Sequence, residues 1–152
     1  MNRPFTPFDI IWIKNVTNST AGQAYMDLPS DNFLLHFPTK HERNAGSPYV
    51  GEIILLFQNI NYQRVFTHLV SPTDEDVNPD YNQPNYMYGR KVNVIAATPS
   101  AELIPVETTL WDSVNFQGIS MGNACRIGNI KNINNYDELL EDIWNRFAPH
   151  FR

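Results

Sequence analysis

The sequence predicts an α+β domain that is mainly β, with strands through its middle and one helix at its end. The stretch YVGEIILLFQNINYQRVFTHLV holds two short runs, residues 53–57 and 65–70, that are rich in β-branched and aromatic side chains. Each run is too short for a typical helix, so we expect two adjacent antiparallel strands joined by a hairpin. The first run is apolar on both faces, which predicts a central position in the sheet.

The C-terminal segment supplies the predicted helix, because its apolar side chains recur at the spacing of one helical face. These side chains are Tyr136, Leu139, Leu140, Ile143, Trp144 and Phe147. Asn135 and Glu138 have the spacing of a capping pair at the start of such a helix. We therefore predict a helix over residues 136–147 that is buried along the face of Leu140 and Trp144.

The other elements are predicted from shorter patterns. The remaining strands are expected at residues 9–14, 32–37, 91–97 and 124–130, with an extended edge segment at 101–109. A short helix is expected at 23–28. A polar, partly basic loop covers 38–48, and a loop rich in Tyr and Pro covers 71–89, where we expect it at the surface.

Length and composition limit the class of protein. A chain of 152 residues, 42% hydrophobic and 18% charged, has the size and balance of one globular domain covering 1–152. No apolar run is long enough to predict a membrane span, and the first residues do not resemble a secretion signal. Because Cys125 is the single cysteine, we expect a reducing, cytoplasmic location. The formal net charge of −5 argues against nucleic-acid binding through bulk positive charge.

The sequence contains no pattern typical of an enzyme or a metal site. The four histidines lack the spacing of metal ligands, and neither a glycine-rich phosphate loop nor a nucleophile elbow is present. His36 falls in a predicted strand, where a structural role is expected. Cys125 has no base near it in the sequence and is expected to pack as a small hydrophobe. We therefore expect no enzymatic activity, no cofactor and no metal.

Aromatic side chains are the stronger indication of function. The chain has 19 of them, and several stand beside polar residues. A planar base could stack on such rings while asparagine side chains or backbone groups bind its edge. Core packing is the alternative role for each ring; it is the expected role of Trp144, whereas the two roles stay equally open for Trp111.

Three segments follow one another in a characteristic order. They are GEIILLFQNINYQRVFTHLVSP, then YGRKVNVIAA with the extended LIPVETT, then the run 114–130 before the C-terminal helix. This order, over residues 10–147, resembles the PUA-like barrel superfamily and, within it, the YTH and EVE modules. The resemblance implies a small closed or nearly closed β-barrel with flanking helices. It also implies a concave, non-catalytic site in which an aromatic cage receives a modified or flipped base.

The resemblance extends to candidate site residues. The cage aromatics of the family lie after the first strand and around the central strands, and EVE-like modules carry a polar, basic segment before the central strand. Lys40 and Arg43 would contact phosphate, with Arg90 and Lys91 as neighbours, and Asn115 follows Trp111 in a polar run. The full set of ligand-binding candidates is Trp12, Phe37, Lys40, His41, Arg43, Asn44, Tyr49, Trp111 and Asn115.

Two functions compete on this basis. The first is a non-catalytic module that binds a modified nucleotide or a nucleic acid carrying a modified base. The alternative is a protein-interaction or adaptor module that uses the loop 71–89, because Tyr is favoured at interfaces. An enzyme of a class that no sequence pattern reveals is a third, weaker hypothesis.

Overall fold

The computed structural model describes residues 4–106, 119, 122–130 and 133–152. The strands are β1 (Ile10–Asn15), β2 (Asn32–Phe37), β3 (Ile53–Ile60), β4 (Gln63–Pro72), β5 (Asn78–Pro79), β6 (Tyr88–Ala97), β7 (Ile104–Pro105) and β8 (Ala124–Arg126). The α-helices are α1 (Glu42–Ala45) and α2 (Tyr136–Phe147), and single 3-10 turns occupy Pro7–Asp9, Ile127–Asn129 and Ala148–His150. The fold is therefore mainly β, as the sequence predicts.

The strands form one curled sheet that has the shape of a half-barrel. Six strands follow the order β2-β6-β4-β3-β1-β8, while β5 pairs with β6 and β7 pairs with β4. The pairing of β1 with β3 is parallel, and the other pairings of the described strands are antiparallel. Neither described α-helix is long and apolar enough to cross a membrane.

The central hairpin is the one that the sequence predicts. β3 and β4 are antiparallel neighbours, with Ile54 opposite Val70 and Ile60 opposite Gln63. Both strands run further than their apolar cores, because the connection is a two-residue turn. Its residues, Asn61 and Tyr62, take the positive φ angles of 51° and 64° that suit the twist of a tight hairpin. β3 lies between β4 and β1, which confirms the predicted central position.

One face of the sheet, which we call the helix face, packs against α2. The helix buries Leu139, Ile143 and Phe147 completely against apolar side chains of the sheet. Asn135 caps the helix, since its Oδ1 accepts the backbone N–H of Glu138 at 3.1 Å. The predicted bounds and cap are confirmed.

The prediction that α2 is buried along the face of Leu140 and Trp144 is confirmed for Leu140, which is buried, but only in part for Trp144. Its indole is only half-buried and lies against the ring of Phe151, 4.8 Å away between centroids. The stripe of Leu139, Ile143 and Phe147 points at the sheet, and Trp144 falls at the edge of that stripe because successive residues of a helix are 100° apart.

The opposite face, which we call the loop face, is covered by α1 and by connecting segments. Its core includes Trp12, Leu35, Phe37 and Ile54, against which Ala24 packs. Four buried polar side chains make contacts on this face, and they are Lys14, Gln58, His68 and Arg90. The two faces therefore differ in chemistry.

The short helix predicted at 23–28 does not form. Gln58 binds both backbone groups of Ala24, with Oε1 accepting its N–H at 2.8 Å and Nε2 donating to its carbonyl at 3.0 Å. Those groups are then unavailable for helical hydrogen bonds. Tyr25 and Asp27 take positive φ angles of 58° and 56°, which also interrupt a right-handed helix.

Other boundaries shift because backbone pairing extends or ends the predicted segments. β8 stops at Arg126 and a 3-10 turn follows it, so the strand predicted at 124–130 is shorter. β7 is a two-residue edge strand, and residues 107–109 of its predicted segment lie outside the described residues. The loop 71–89 shortens at both ends, since β4 continues to Pro72 and β6 begins at Tyr88.

Candidate functional site

A cleft of about 670 Å³ lies between the segment that follows β1 and the loop before β6. Its walls are formed by residues 14–20 and 23–25, by His36 of β2, and by residues 83–86. The cleft has the size of a small-molecule site, for which about 300–1,000 Å³ is usual. None of the predicted ligand-binding candidates that the structure describes lines it.

The described lining of the cleft is polar and contains no acid. Among the described residues that border it, fifteen in all, there is no Asp or Glu, although the chain has 16 acidic residues. Lys14 and His36 are its basic members. Five amides and three aliphatic hydroxyls complete most of the wall, and they are Asn15, Asn18, Gln23, Gln83, Asn85, Thr17, Ser19 and Thr20. Such groups offer hydrogen bonds to a polar ligand.

Lys14 is the most unusual group in the wall, because it is a lysine with 1% of its surface exposed. Its Nζ donates to the carbonyl of Gly122 and lies 4.6 Å from the centroid of the Phe37 ring. Within the described ranges it forms no ion pair with a carboxylate. Burial lowers the pKa of Lys14 to about 7, and the nearby thiol of Cys125 partly opposes that shift.

A chain of hydrogen bonds joins Tyr25, His36 and Asp80 at the cleft. The hydroxyl of Tyr25 accepts the backbone N–H of His36 at 3.1 Å and lies 3.3 Å from Nδ1 of the same residue. Nε2 of His36 is 3.0 Å from Oδ2 of Asp80. One tautomer satisfies all three contacts, with Nε2–H donating to Asp80 and the phenol donating to Nδ1.

Two pKa shifts follow from this arrangement. Burial raises the pKa of Tyr25 to about 12, so its phenol stays protonated near neutral pH. The hydrogen bond from His36 lowers the pKa of the Asp80 carboxyl, which therefore stays ionised. The chain ties the loop before β6 to the sheet and holds the cleft wall in place.

A second network of hydrogen bonds, formed by side chains of β3 and β4, fixes the backbone of Tyr25. Nε2 of His68 is 3.0 Å from the Tyr25 carbonyl, and Nδ1 is 2.8 Å from Oγ1 of Thr67. Gln58 in turn donates to that hydroxyl at 3.1 Å. Burial lowers the pKa of His68 to about 4, so the neutral imidazole donates to Tyr25 and accepts from Thr67. These bonds hold Tyr25 at its positive φ angle.

Two of the predicted cage aromatics lie in the core. Phe37 is fully buried, and Trp12 is 6% exposed. The indole of Trp12 donates to Oε1 of Glu52 at 2.9 Å, and the guanidinium of Arg126 covers its ring at 4.8 Å. Tyr49 is exposed but does not border the cleft. Trp111 and Asn115 lie outside the described residues.

The predicted basic segment lies at the surface around α1. Lys40, His41 and Arg43 are exposed there and do not border the cleft. The amide of Asn44 is occupied by the backbone of Ala124, with Nδ2 donating at 2.8 Å and Oδ1 accepting at 2.7 Å. Asn44 therefore fastens α1 to β8.

Arg90 is a structural residue and is not a surface partner for phosphate. Its side chain is fully buried, and Nη1 donates to the carbonyls of Ala45 and Pro48 at 2.9 and 2.7 Å. Nη2 donates to the carbonyl of Asp74 at 2.7 Å. Burial lowers its pKa, while nearby acids oppose that shift. Lys91, its neighbour in β6, is exposed.

The cleft residues were not predicted as a group. Lys14 gave a local signal, since it is a charged residue on the same side of β1 as Trp12, where an apolar residue is expected. The contact between His36 and Asp80 gave no such signal, because Asp80 lies in a loop 44 positions after His36.

Comparison of the chain with protein-family models, with curated proteins and with solved structures found no significant match.

Proposed function

We propose that the protein is a non-catalytic module that binds a modified nucleotide, or a nucleic acid carrying a modified base, in this cleft. The observation that supports the proposal is the combination of size and lining. A cavity of about 670 Å³ accommodates a nucleotide, and its amides and hydroxyls match the donors and acceptors on a base edge. The PUA-like barrel that the sequence resembles is part of the same proposal, and the curled half-barrel sheet with its C-terminal helix supports it.

The proposal places the stacking surface at Tyr86. Trp12 and Phe37 are buried, whereas the Tyr86 side chain is 39% exposed and borders the cleft. Base–aromatic stacking contributes about 1–3 kcal/mol per base. Lys40 and Arg43 remain exposed for the phosphates of a longer chain.

The test is a calorimetric titration of the protein with the four common nucleosides and with their base-methylated counterparts. We expect one methylated nucleoside to bind best, and Tyr86→Ala to weaken it by about tenfold, the equivalent of one stacking contact. Tyr81→Ala is the matched control, since Tyr81 is an 80% exposed tyrosine of the same loop that does not border the cleft. If no nucleoside and no oligonucleotide binds at low salt, the nucleotide proposal fails.

The adaptor function is the second candidate, and the exposure of Tyr81 favours it. The loop that carries Tyr81 is held in one shape, because Asp80 N–H donates to the Met87 carbonyl and Thr39 binds Pro84 and Asn85. A rigid, exposed tyrosine is a typical interface residue. Cross-linking of the purified protein to its cellular partners should then depend on Tyr81 and not on Tyr86.

A further inference from the structure

Lys14, which borders the cleft, has a buried amine that lacks a counter-ion in the part of the chain that the structure describes. An ammonium carries three donors, and Lys14 uses one of them on the Gly122 carbonyl while Phe37 covers another side of the group. Buried lysines are normally paired with a carboxylate, since an isolated buried charge is costly. The fifteen described residues that line the cleft supply none.

We propose that the ligand of the cleft presents an oxyanion, a phosphate or a carboxylate, that pairs with Lys14. For a nucleotide ligand this inference rests on the proposed function and adds that the phosphate, as well as the base, is bound. The described lining contains no Asp or Glu that would repel an anion, in a chain whose net charge is −5. An ion pair formed there is screened less than one at the surface.

The position of Lys14 relative to Tyr86 suits a nucleotide. Gly122, whose carbonyl accepts from the Lys14 amine, lies close to the Tyr86 ring, since a Cβ added at Gly122 would lie 3.0 Å from Cε1 of Tyr86. The same Cβ would lie 3.0 Å from Cγ of Pro38. Gly122 therefore contacts both the amine that would bind the anion and the ring that would stack the base.

Because Lys14 is buried, we expect the protein to take up a proton when the anion binds. The titratable groups near it or in the cleft are the Cys125 thiol of β8, the His36 imidazole and the phenols of Tyr25 and Tyr86. Burial lowers the pKa of Lys14 to about 7, so the amine is largely neutral at pH 8. An oxyanion favours the charged form and raises that pKa, so one proton enters with the ligand.

The experiment compares each nucleoside with its 5′-monophosphate by calorimetry, with inorganic phosphate and acetate as free oxyanions. We expect the monophosphate to bind at least about tenfold more tightly than the nucleoside, because a charge-assisted hydrogen bond contributes a gain of that size. Repeating the titration at pH 8 in buffers with different ionisation enthalpies should show an uptake of about one proton per ligand. Phosphate and acetate then distinguish a phosphate site from a carboxylate site.

Lys14→Met is the decisive variant, because it keeps the apolar stem and removes the amine. We expect it to abolish both the preference for the monophosphate and the proton uptake, while nucleoside binding persists. Lys91→Met is the matched control at an exposed lysine and should change neither. Thermal melting establishes that both variants are folded.

The outcomes separate the two proposals. If nucleosides bind and the monophosphate gains nothing, the oxyanion inference is wrong and the proposed function stands. If free phosphate or acetate binds through Lys14 while nucleosides do not bind, the inference stands and the nucleotide function is wrong. If Lys14→Met keeps the preference for the monophosphate, or if no anion and no nucleotide binds, the inference is overturned.

Discussion

The two faces of the sheet are built from different kinds of side chain. α2 packs on the helix face through its apolar residues Leu139, Ile143 and Phe147, which are all fully buried. The loop face buries Lys14 and His68 beside its apolar residues, and their polar atoms bind loop backbone groups. One face resembles an ordinary protein core, and the other resembles the floor of a site.

The apolar side chains of the helix face stabilise the fold, whereas the fold holds the buried polar side chains of the loop face in place. Burial of apolar area favours folding, whereas burial of an amine or imidazole opposes it unless hydrogen bonds compensate. Proteins retain such groups mainly where a site requires them. The loop face should therefore respond to pH and ligand, and the helix face should respond to neither.

The largest effect is expected on the helix face. Phe147→Ala should lower the free energy of unfolding by about 3–5 kcal/mol, because it removes a fully buried ring and leaves a cavity. Trp144→Ala should lower it by about 1–2 kcal/mol, since the indole is half-buried. Urea titration measures both values. Equal losses would contradict the assignment of Phe147 to the buried stripe and Trp144 to its edge.

On the loop face, Lys14→Met should change how stability depends on pH. Burial lowers the pKa of Lys14 from 10.5 to about 7, so between these values the unfolded chain binds more protons than the folded one. Stability of the wild type should then rise with pH in that window by up to about 1.4 kcal/mol per pH unit, and this dependence should level off below pH 7, where both states are protonated. The variant should lack this rise. Urea titrations at pH 6.5, 8 and 9.5 measure it, and parallel profiles for the two proteins would contradict a buried, neutral Lys14.

His68→Gln should remove a similar dependence at lower pH. Burial lowers the pKa of His68 from 6.5 to about 4, so acid protonates the unfolded chain first and destabilises the fold as pH falls below 6.5. The wild type should lose up to about 1.4 kcal/mol per pH unit more than the variant between these two values. Melting temperatures measured from pH 7 to pH 4 test this, and an equally steep loss in the variant would speak against it.

The smallest effect is expected at the hairpin turn, away from both faces. Tyr62 is fully exposed and has a φ angle of 64°, which strains any side chain but suits glycine. Tyr62→Gly should therefore stabilise the protein by about 0.5–1 kcal/mol, as the Asn-Gly pair favours this turn. Gln63→Gly, in the first position of β4, is the control and should destabilise. A loss of stability on Tyr62→Gly would contradict the turn geometry.

The sequence predicted best those elements that depend on local periodicity. The bounds of β2 and α2 match the predicted 32–37 and 136–147, because alternation and helical spacing are visible within a few residues. The helix predicted at 23–28 was wrong because Gln58, far along the chain, captures the backbone of Ala24. Tertiary contacts of this kind leave no local pattern.

The site could not be predicted for the same reason. The Lys14 ammonium and the Gly122 carbonyl are 108 positions apart, and only the folded chain brings them together. Aromatic content suggested Trp12 and Phe37 as ligand contacts, but both rings are buried in the core of the loop face, which other segments cover. Whether a ring packs inside or lines a site depends on which segment covers it.

The most direct test of the account is to map ligand contacts by NMR. A ¹⁵N-labelled sample is titrated with the nucleoside monophosphate that binds best, and amide shifts are followed along the chain. We expect perturbations at residues 14–25, at His36 and at 83–86, and none along α2. Shifts concentrated on α2, or around Tyr49 and Lys40 with none in the cleft, would contradict the division of roles between the two faces.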